Sequence, residues 1–265
     1  MWEMKAWQNW DEQGLRNLSR LLTSQGEVGM KARAMVGVSG FSYAGWKGNF
    51  YPDNLKSEEF LSYYSQRLNS VEINSSFYAA PSSAMVKSWA SRTGDNFRFS
   101  FKAPRQITHI LKLGKGSVEV AERLGVTLTL LGEKKGPVLF QLPPYSKQDL
   151  NLLEDFLTKT SKIGQRVFEF RHESWLNDPT YTILEKHDAD FCIAETEDMK
   201  PVFKVTGKTP YFRLRRESYD AKMIDDWIGK IRETSKGGES VYVYLRHDEN
   251  GDNASRALNI LESLA

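Results

Sequence analysis

The sequence predicts an α/β fold, a (β/α)8 barrel, and three observations carry that expectation. Short segments rich in Val, Ile, Phe and Tyr recur from residue 36 to residue 247. The stretches between most of them place apolar residues three and four apart, as an amphipathic helix does. Within the strand segments, apolar and polar residues alternate in one consistent register. Strict alternation of strand and helix means parallel strands joined by right-handed crossovers. Eight such strands in the roughly 230 residues from 36 onward fit a closed barrel better than an open sheet. An open doubly wound sheet is the alternative, but GVSGFSYAGW spaces its glycines wrongly for a dinucleotide loop.

The expected strands are VGVSGF (36–41), SVEINSSFY (70–78), FRFSFKAP (97–104), GPVLFQLP (136–143), RVFEFRH (166–172), ADFCIAET (189–196), TPYFRLRR (209–216) and SVYVYLRH (240–247). Helical periodicity marks KSEEFLSYYSQRLN, SSAMVKSWASRT, QDLNLLEDFLTKTSKI, YDAKMIDDWIGKIRET and the closing ASRALNILESLA. After strand six, EDMKPVFKVTGK contains Pro201 and β-branched residues, so an incomplete or missing outer helix is expected there. Residues 1–34 form a separate N-terminal extension, with Leu15, Leu18 and Leu22 at helical spacing behind Trp7 and Trp10, and residues 35–265 form the barrel domain.

In a parallel barrel one face of each strand meets the helices and the other points into the lumen. Val71 and Ile73 therefore face helices while Glu72 and Asn74 face inward. Phe97, Phe99 and Phe101 oppose Arg98, Ser100 and Lys102, and Val138, Phe140 and Leu142 oppose Leu139 and Gln141. Phe168 and Phe170 leave Glu169 and Arg171 inside. Phe212 and Leu214 leave Arg213 and Arg215, and Val241, Val243 and Leu245 leave Tyr242, Tyr244 and Arg246. Five bases (Lys102, Arg171, Arg213, Arg215 and Arg246) and two acids then converge near the C-terminal strand ends, an excess of three positive charges. Buried charges require partners, and two carboxylates cannot neutralise five cations, so an anion is expected at that mouth.

The chain's formal charge of +2 provides no long-range field for nucleic acid or an anionic membrane. One cysteine, Cys192, excludes an internal disulfide and suits a reducing cytoplasm. No run of about 20 apolar residues is present to span a membrane, and no signal-peptide core opens the chain.

Six motifs in order, VSGFSYAGWKGNFYP, VEINSSFYAAPS, FSFKAPRQITH, VLFQLPP, EFRHESW and VYVYLRHDENG, resemble the YecE-like proteins, the domain-of-unknown-function 72 family. The resemblance runs from about residue 35 to the end and implies a TIM-type barrel without fixing a reaction. By motif, it implies polar site positions at Glu72, Asn74, Tyr78, Lys102, Gln141, Glu169, Arg171 and His172. Three departures stand out: Phe41 where many members have Trp, RLRRES where many have a His after the Leu, and the extra N-terminal segment.

The leading functional expectation is an enzyme acting on a small anionic substrate, phosphate-bearing by the usual position of phosphate after strands seven and eight. Arg213, Arg215 and Arg246 would hold the anion. Gly251 would permit a turn, and Asn253 or Ser255 would cap the last helix beside the anion. Glu169, with Glu72 as runner-up, would act as general base, and Lys102 or an arginine would stabilise developing negative charge. Asn74, Tyr78, Gln141, Arg171 and His172 would contact substrate, with Trp175 framing it.

A glycosidase is weaker because strands two and five lie well apart around the ring. A metal-dependent hydrolase would draw on His109, His172 and His247, which show no ligand spacing, and a Lys102 Schiff base is a further alternative. The sequence leaves any cofactor open. A nucleic-acid binder would use Phe41, Tyr43, Trp46 and Phe77 as exposed stacking residues, and a non-catalytic scaffold is the third class.

Overall fold

The structure is a computed structural model that describes residues 33–236 and 240–265. The expected N-terminal helix lies outside the described residues.

Eight strands, β1 (Arg33–Val38), β2 (Ser70–Ile73), β3 (Arg98–Lys102), β4 (Lys135–Leu142), β5 (Arg166–Phe170), β6 (Asp190–Glu195), β7 (Tyr211–Leu214) and β8 (Ser240–Leu245), pair in parallel in the order β1-β8-β7-β6-β5-β4-β3-β2. The last gap, between β2 and β1, closes differently. At the C-terminal end Ser39 bridges Glu72, and Gly40 N donates to Glu72 O at 2.9 Å. Lower down, side chains replace the ladder. Asn69 accepts from Val36 N and donates to Ala34 O, both at 2.8 Å. The Tyr64 hydroxyl accepts from Val38 N at 2.9 Å and donates to Ser70 O at 3.0 Å. Gly37 makes this seam possible, because a Cβ there would lie 1.9 Å from Ser70 O and 2.8 Å from the Tyr64 hydroxyl.

Helices α1 (Phe60–Ser65), α2 (Ser83–Ser91), α3 (Ser117–Leu128), α4 (Leu150–Lys159), α5 (Asp178–Lys186), α6 (Ala221–Thr234) and α7 (Asp252–Leu264) surround the sheet. Ser82, Asp149, Asn177 and Asp220 cap α2, α4, α5 and α6 by accepting from backbone N–H groups of the first turn. No helix separates β6 from β7. Instead Thr206 Oγ1 accepts from Phe191 N and donates to Ala189 O, each at 2.8 Å, tying the connection to β6 directly. Strand two is shorter than expected. Ser76 Oγ donates to Ile73 O and to Lys102 O, both at 2.7 Å, and the chain turns into a 3-10 segment at Ser75–Phe77.

Two apolar layers follow from the strand parity. Phe99, Phe101, Phe140, Phe168, Phe212 and Val243 pack outward against helix residues such as Trp89, Phe156 and Trp227. Each such phenylalanine contributes about 2–3 kcal/mol through burial. Inside the ring, Met35, Leu139, Val167, Cys192, Ala194, Tyr211, Tyr242 and Tyr244 form a second cluster. The Tyr244 hydroxyl bonds Ser100 Oγ at 2.8 Å and also Ser70 Oγ, so its polar end is satisfied within the lumen. This plug is the floor on which the charged mouth rests.

Candidate functional site

Arg213, fully buried on β7, is the centre of the mouth. Its Nε and Nη2 donate to the two Glu72 oxygens at 2.9 and 2.8 Å, and its Nη1 donates to Glu169 Oε2 at 2.5 Å. Strands two and five, expected to keep their carboxylates well apart, are thus joined through one guanidinium reaching across the lumen. Such two-pronged binding is the geometry arginine does best. The remaining acceptor capacity is also filled. Glu72 receives the Tyr211 hydroxyl at 2.9 Å and Ser39 Oγ at 3.2 Å, while Glu169 receives Gln141 Nε2 at 2.8 Å and Arg171 Nε.

These contacts set the charge states. Burial alone would raise both carboxyls, but Arg213 overrides it. With Arg215 behind, it holds Glu72 below the usual carboxylate range, and with Arg171 it brings Glu169 down to about 2. Both acids are therefore firmly ionised and weak as bases, which is unfavourable for the general-base role expected of them.

Two cations remain. Arg215, just past β7, donates through Nη1 to Ser39 Oγ at 2.5 Å, and burial together with Arg213 lowers its pKa to about 10. Lys102, the last residue of β3, places its ammonium over the Phe77 ring at 4.1 Å, and burial together with Arg213 lowers it to about 8. Among the described residues, neither has a carboxylate oxygen within 4.0 Å. Four cations (Lys102, Arg171, Arg213, Arg215) thus face two carboxylates, an excess of two positive charges.

The fifth expected cation sits elsewhere. Arg246 is 41% exposed and pairs with Glu217 at 3.6 Å on the rim. It lines a pocket of about 730 Å³ together with Ser42, Tyr43, Gly45 and His247. The expected capping of α7 by Asn253 or Ser255 is replaced by Asp248. Its carboxylate accepts from Gly251 N at 2.9 Å and Asn253 N at 2.8 Å. A phosphate at that helix start would meet a carboxylate already in place.

Asn74 is half-buried at the end of β2, and its Oδ1 has no hydrogen-bond partner. Tyr78 is 77% exposed, edge-on to Phe77 and away from the charged cluster's hydrogen bonds. His172 turns its ring to cap the short Glu173–Trp175 turn, Nδ1 accepting from Ser174 N at 3.1 Å. Trp175 stacks on Phe170 in the outer core instead of framing the mouth. Of the aromatics expected to offer exposed stacking faces, Trp46 is buried, while Phe41, Tyr43 and Phe77 are half-buried, Tyr43 stacking on His247 at 4.7 Å and Phe77 lying under Lys102. Among the described residues, no three His, Cys, Asp or Glu side chains gather where a metal ion could bind, and no helix is long and apolar enough to cross a membrane.

Ser39 and Tyr211 were not anticipated as site residues. Both lie on the inward face by the same parity that located Arg213, so the signal was available. His109, whose ring meets Phe77 edge-on at 4.9 Å, had no such signal because it sits on a π-helical turn, Gln106–Ile110.

Comparison with known proteins agrees with the fold. The YunF protein of Bacillus subtilis is 23% identical over 268 residues, 86% of this chain and 94% of that one. The YecE protein of Escherichia coli K12 is 35% identical over 113 residues, 42% of this chain and 41% of that one. A crystal structure of a DUF72 family protein from Thermotoga maritima superposes with a TM-score of 0.77 at 26% identity, covering 88% of this chain and 99% of that one. A D-psicose 3-epimerase from Clostridium cellulolyticum shares the barrel fold alone, with a TM-score of 0.52 at 8% identity over 88% of this chain and 96% of that one. The family model described as "Protein of unknown function DUF72" matches residues 35–265, and the chain belongs to that family.

Proposed function

We propose that the barrel mouth is the substrate site of an enzyme that acts on a small anion bearing a phosphate or carboxylate. The observation that carries this reading is the pair of uncompensated cations, Arg215 and Lys102, beside a network whose two carboxylates are already saturated. Placing cations next to Arg213 without acids of their own is unfavourable unless an anion completes the site. Burial first, and Arg213 beside them second, lower the pKa of both cations, as expected where no anion offsets them. The location supports the reading, because barrels of this type carry their chemistry at the C-terminal strand ends.

Glu72 and Glu169 act in this account as fixed anchors for Arg213. The phosphate position is drawn inward from the strand-eight loop to Arg215, because Asp248 occupies the start of α7 and Arg246 pairs with Glu217.

Thermal unfolding in inorganic phosphate or sulfate tests this against chloride of equal ionic strength. At a hundredfold excess over Kd, a single bound anion stabilises by about 2.7 kcal/mol, a Tm rise of roughly 5–10 °C for a domain of this size. Arg215→Met should abolish most of the rise. A wild-type protein indifferent to both anions, or an undiminished rise in Arg215→Met, would remove Arg215 from the account.

A further inference from the structure

We infer that Lys102 is a covalent carbonyl-binding residue, its amine condensing with the aldehyde or ketone group of a small anionic substrate while Arg215 holds that substrate's phosphate or carboxylate. This rests on the anion-site reading above and adds the chemical class of the substrate.

The geometry begins with what Lys102 lacks. A lysine beside two buried glutamates ordinarily pairs with one of them, yet here Arg213, Tyr211 and Ser39 saturate Glu72, and Arg213, Gln141 and Arg171 saturate Glu169. The ammonium rests instead on the face of Phe77. Its backbone is clamped, Lys102 O accepting from Ser76 Oγ at 2.7 Å and the next amide, Ala103 N, donating to Leu139 O at 2.8 Å, so the side chain springs from a fixed point facing the lumen.

Burial and the neighbouring guanidinium favour the free amine, which is the nucleophilic form. His109 contacts the same Phe77 ring. Burial together with Lys102 and Arg105 lowers its pKa, so it offers a neutral imidazole for proton transfer. It stands on a π-helical turn, a rare geometry that recurs at functional sites.

The chemistry balances without a further reactant. The unprotonated amine adds its lone pair to the carbonyl carbon, a C–N bond forms as the C=O π bond opens onto oxygen, and the proton that the nitrogen then loses passes to that oxygen. The resulting carbinolamine then accepts one more proton on its hydroxyl and loses water, as the nitrogen lone pair forms the C=N bond. Overall, the ammonium and the carbonyl compound give a protonated imine and water. The imine keeps the positive charge of the ammonium it replaces, and the substrate's own phosphate or carboxylate at Arg215 offsets that charge in a mouth whose cations outnumber its carboxylates.

Reductive trapping tests the inference. The full chain would be incubated near neutral pH with sodium cyanoborohydride and either glycolaldehyde phosphate or uncharged glycolaldehyde, and the resulting secondary amines located by peptide mass mapping. Lys102 should be labelled at least roughly a hundredfold faster than ordinary lysines, whose pKa near 10.4 leaves little free amine. The chain's α-amino group serves as the internal standard, since such groups ordinarily titrate near 8.

Lys102 should also prefer the phosphorylated probe, and Arg215→Met should erase that preference. Lys102→Arg keeps the charge, so it should retain the thermal response to inorganic phosphate while losing the adduct. Labelling of Lys102 no faster than other lysines overturns the covalent role, even where phosphate still stabilises the protein. Fast labelling of Lys102 by both probes alike, with no thermal response to phosphate, overturns the anion site instead and leaves the carbonyl chemistry standing.

Discussion

Glu169 on β5 and Asp190 on β6 are carboxylates on adjacent strands of one barrel, each about 1% exposed, and the fold drives them in opposite directions. Glu169, at the C-terminal end, is brought down to about 2 because Arg213 and Arg171 overcome its burial. Asp190, at the N-terminal end, is pushed up to about 7 by burial, with Asp188 adding to the effect. The donors it receives from Thr209 N at 3.1 Å and from Gln165 Nε2 do not compensate. The nearby basic residue at that end, Arg166, donates to the carbonyls of Leu157 and His187 at 2.6 Å each. Depth of burial is the same, so the placement of cations decides the charge state. The buried carboxylates that are paired with arginine lie at the end of the barrel where an anion is proposed to bind.

The largest way to break this contrast is to remove its source. Arg213→Met leaves two buried carboxylates without their shared partner and should destabilise the protein by about 3–5 kcal/mol, read as a lower urea midpoint. A loss below about 1 kcal/mol would mean that solvent or neighbouring side chains replace the guanidinium readily.

At the other end, Asp190 has a folded-state pKa above its ordinary value. The folded state then holds its proton more tightly, and stability falls as pH rises from about 4 to about 7 before levelling off. Asp190→Asn should flatten that decline and make the variant more stable than the wild type at pH 8, by a few kcal/mol at most. Urea titrations at pH 5 and pH 8 check it, and an Asp190→Asn protein with the wild-type pH dependence would contradict it. Glu169 has the opposite sign. Its contribution is fully present above the ordinary carboxylate pKa and is lost as pH falls through about 2, so the two windows are separable.

The smallest effect belongs to the rim. Arg246 and Glu217, 41% and 77% exposed, are separated by 3.6 Å. Arg246→Ala should change stability by less than about 1 kcal/mol and leave the phosphate response intact. Loss of that response would extend the anion site out to the strand-eight loop.

Much of this architecture was legible because a strand's period of two is rigid. Once Phe168 must face a helix, Glu169 must face the lumen, and the same step yields Lys102, Arg213 and Arg215. What parity does not encode is distance across the ring. Glu72 and Glu169 look remote on strands two and five, and only the length of the Arg213 side chain brings them together. Parity also lapses where a strand ends. Arg246 follows the inward alternation of β8, but its side chain leaves the lumen for Glu217, and His172 turns to cap its own loop. The cap of α7 was misplaced for a similar reason, since Asp248 reaches forward from the preceding loop to both amides. Helices α3 and α5 were not singled out among the periodic segments, although α5 carries an Asn cap followed by Asp and Pro in its first turn.

The most direct test of the contrast is carbon-13 NMR of the side-chain carboxyl carbons from pH 8 downward, with Glu169→Gln and Asp190→Asn supplying the assignments. Asp190 should titrate near pH 7 while Glu169 stays ionised until the pH approaches about 2 or the protein unfolds. Titration of both groups together near the ordinary carboxylate value of about 4 would contradict it, showing that the cations of the mouth do not govern the charges inside the barrel.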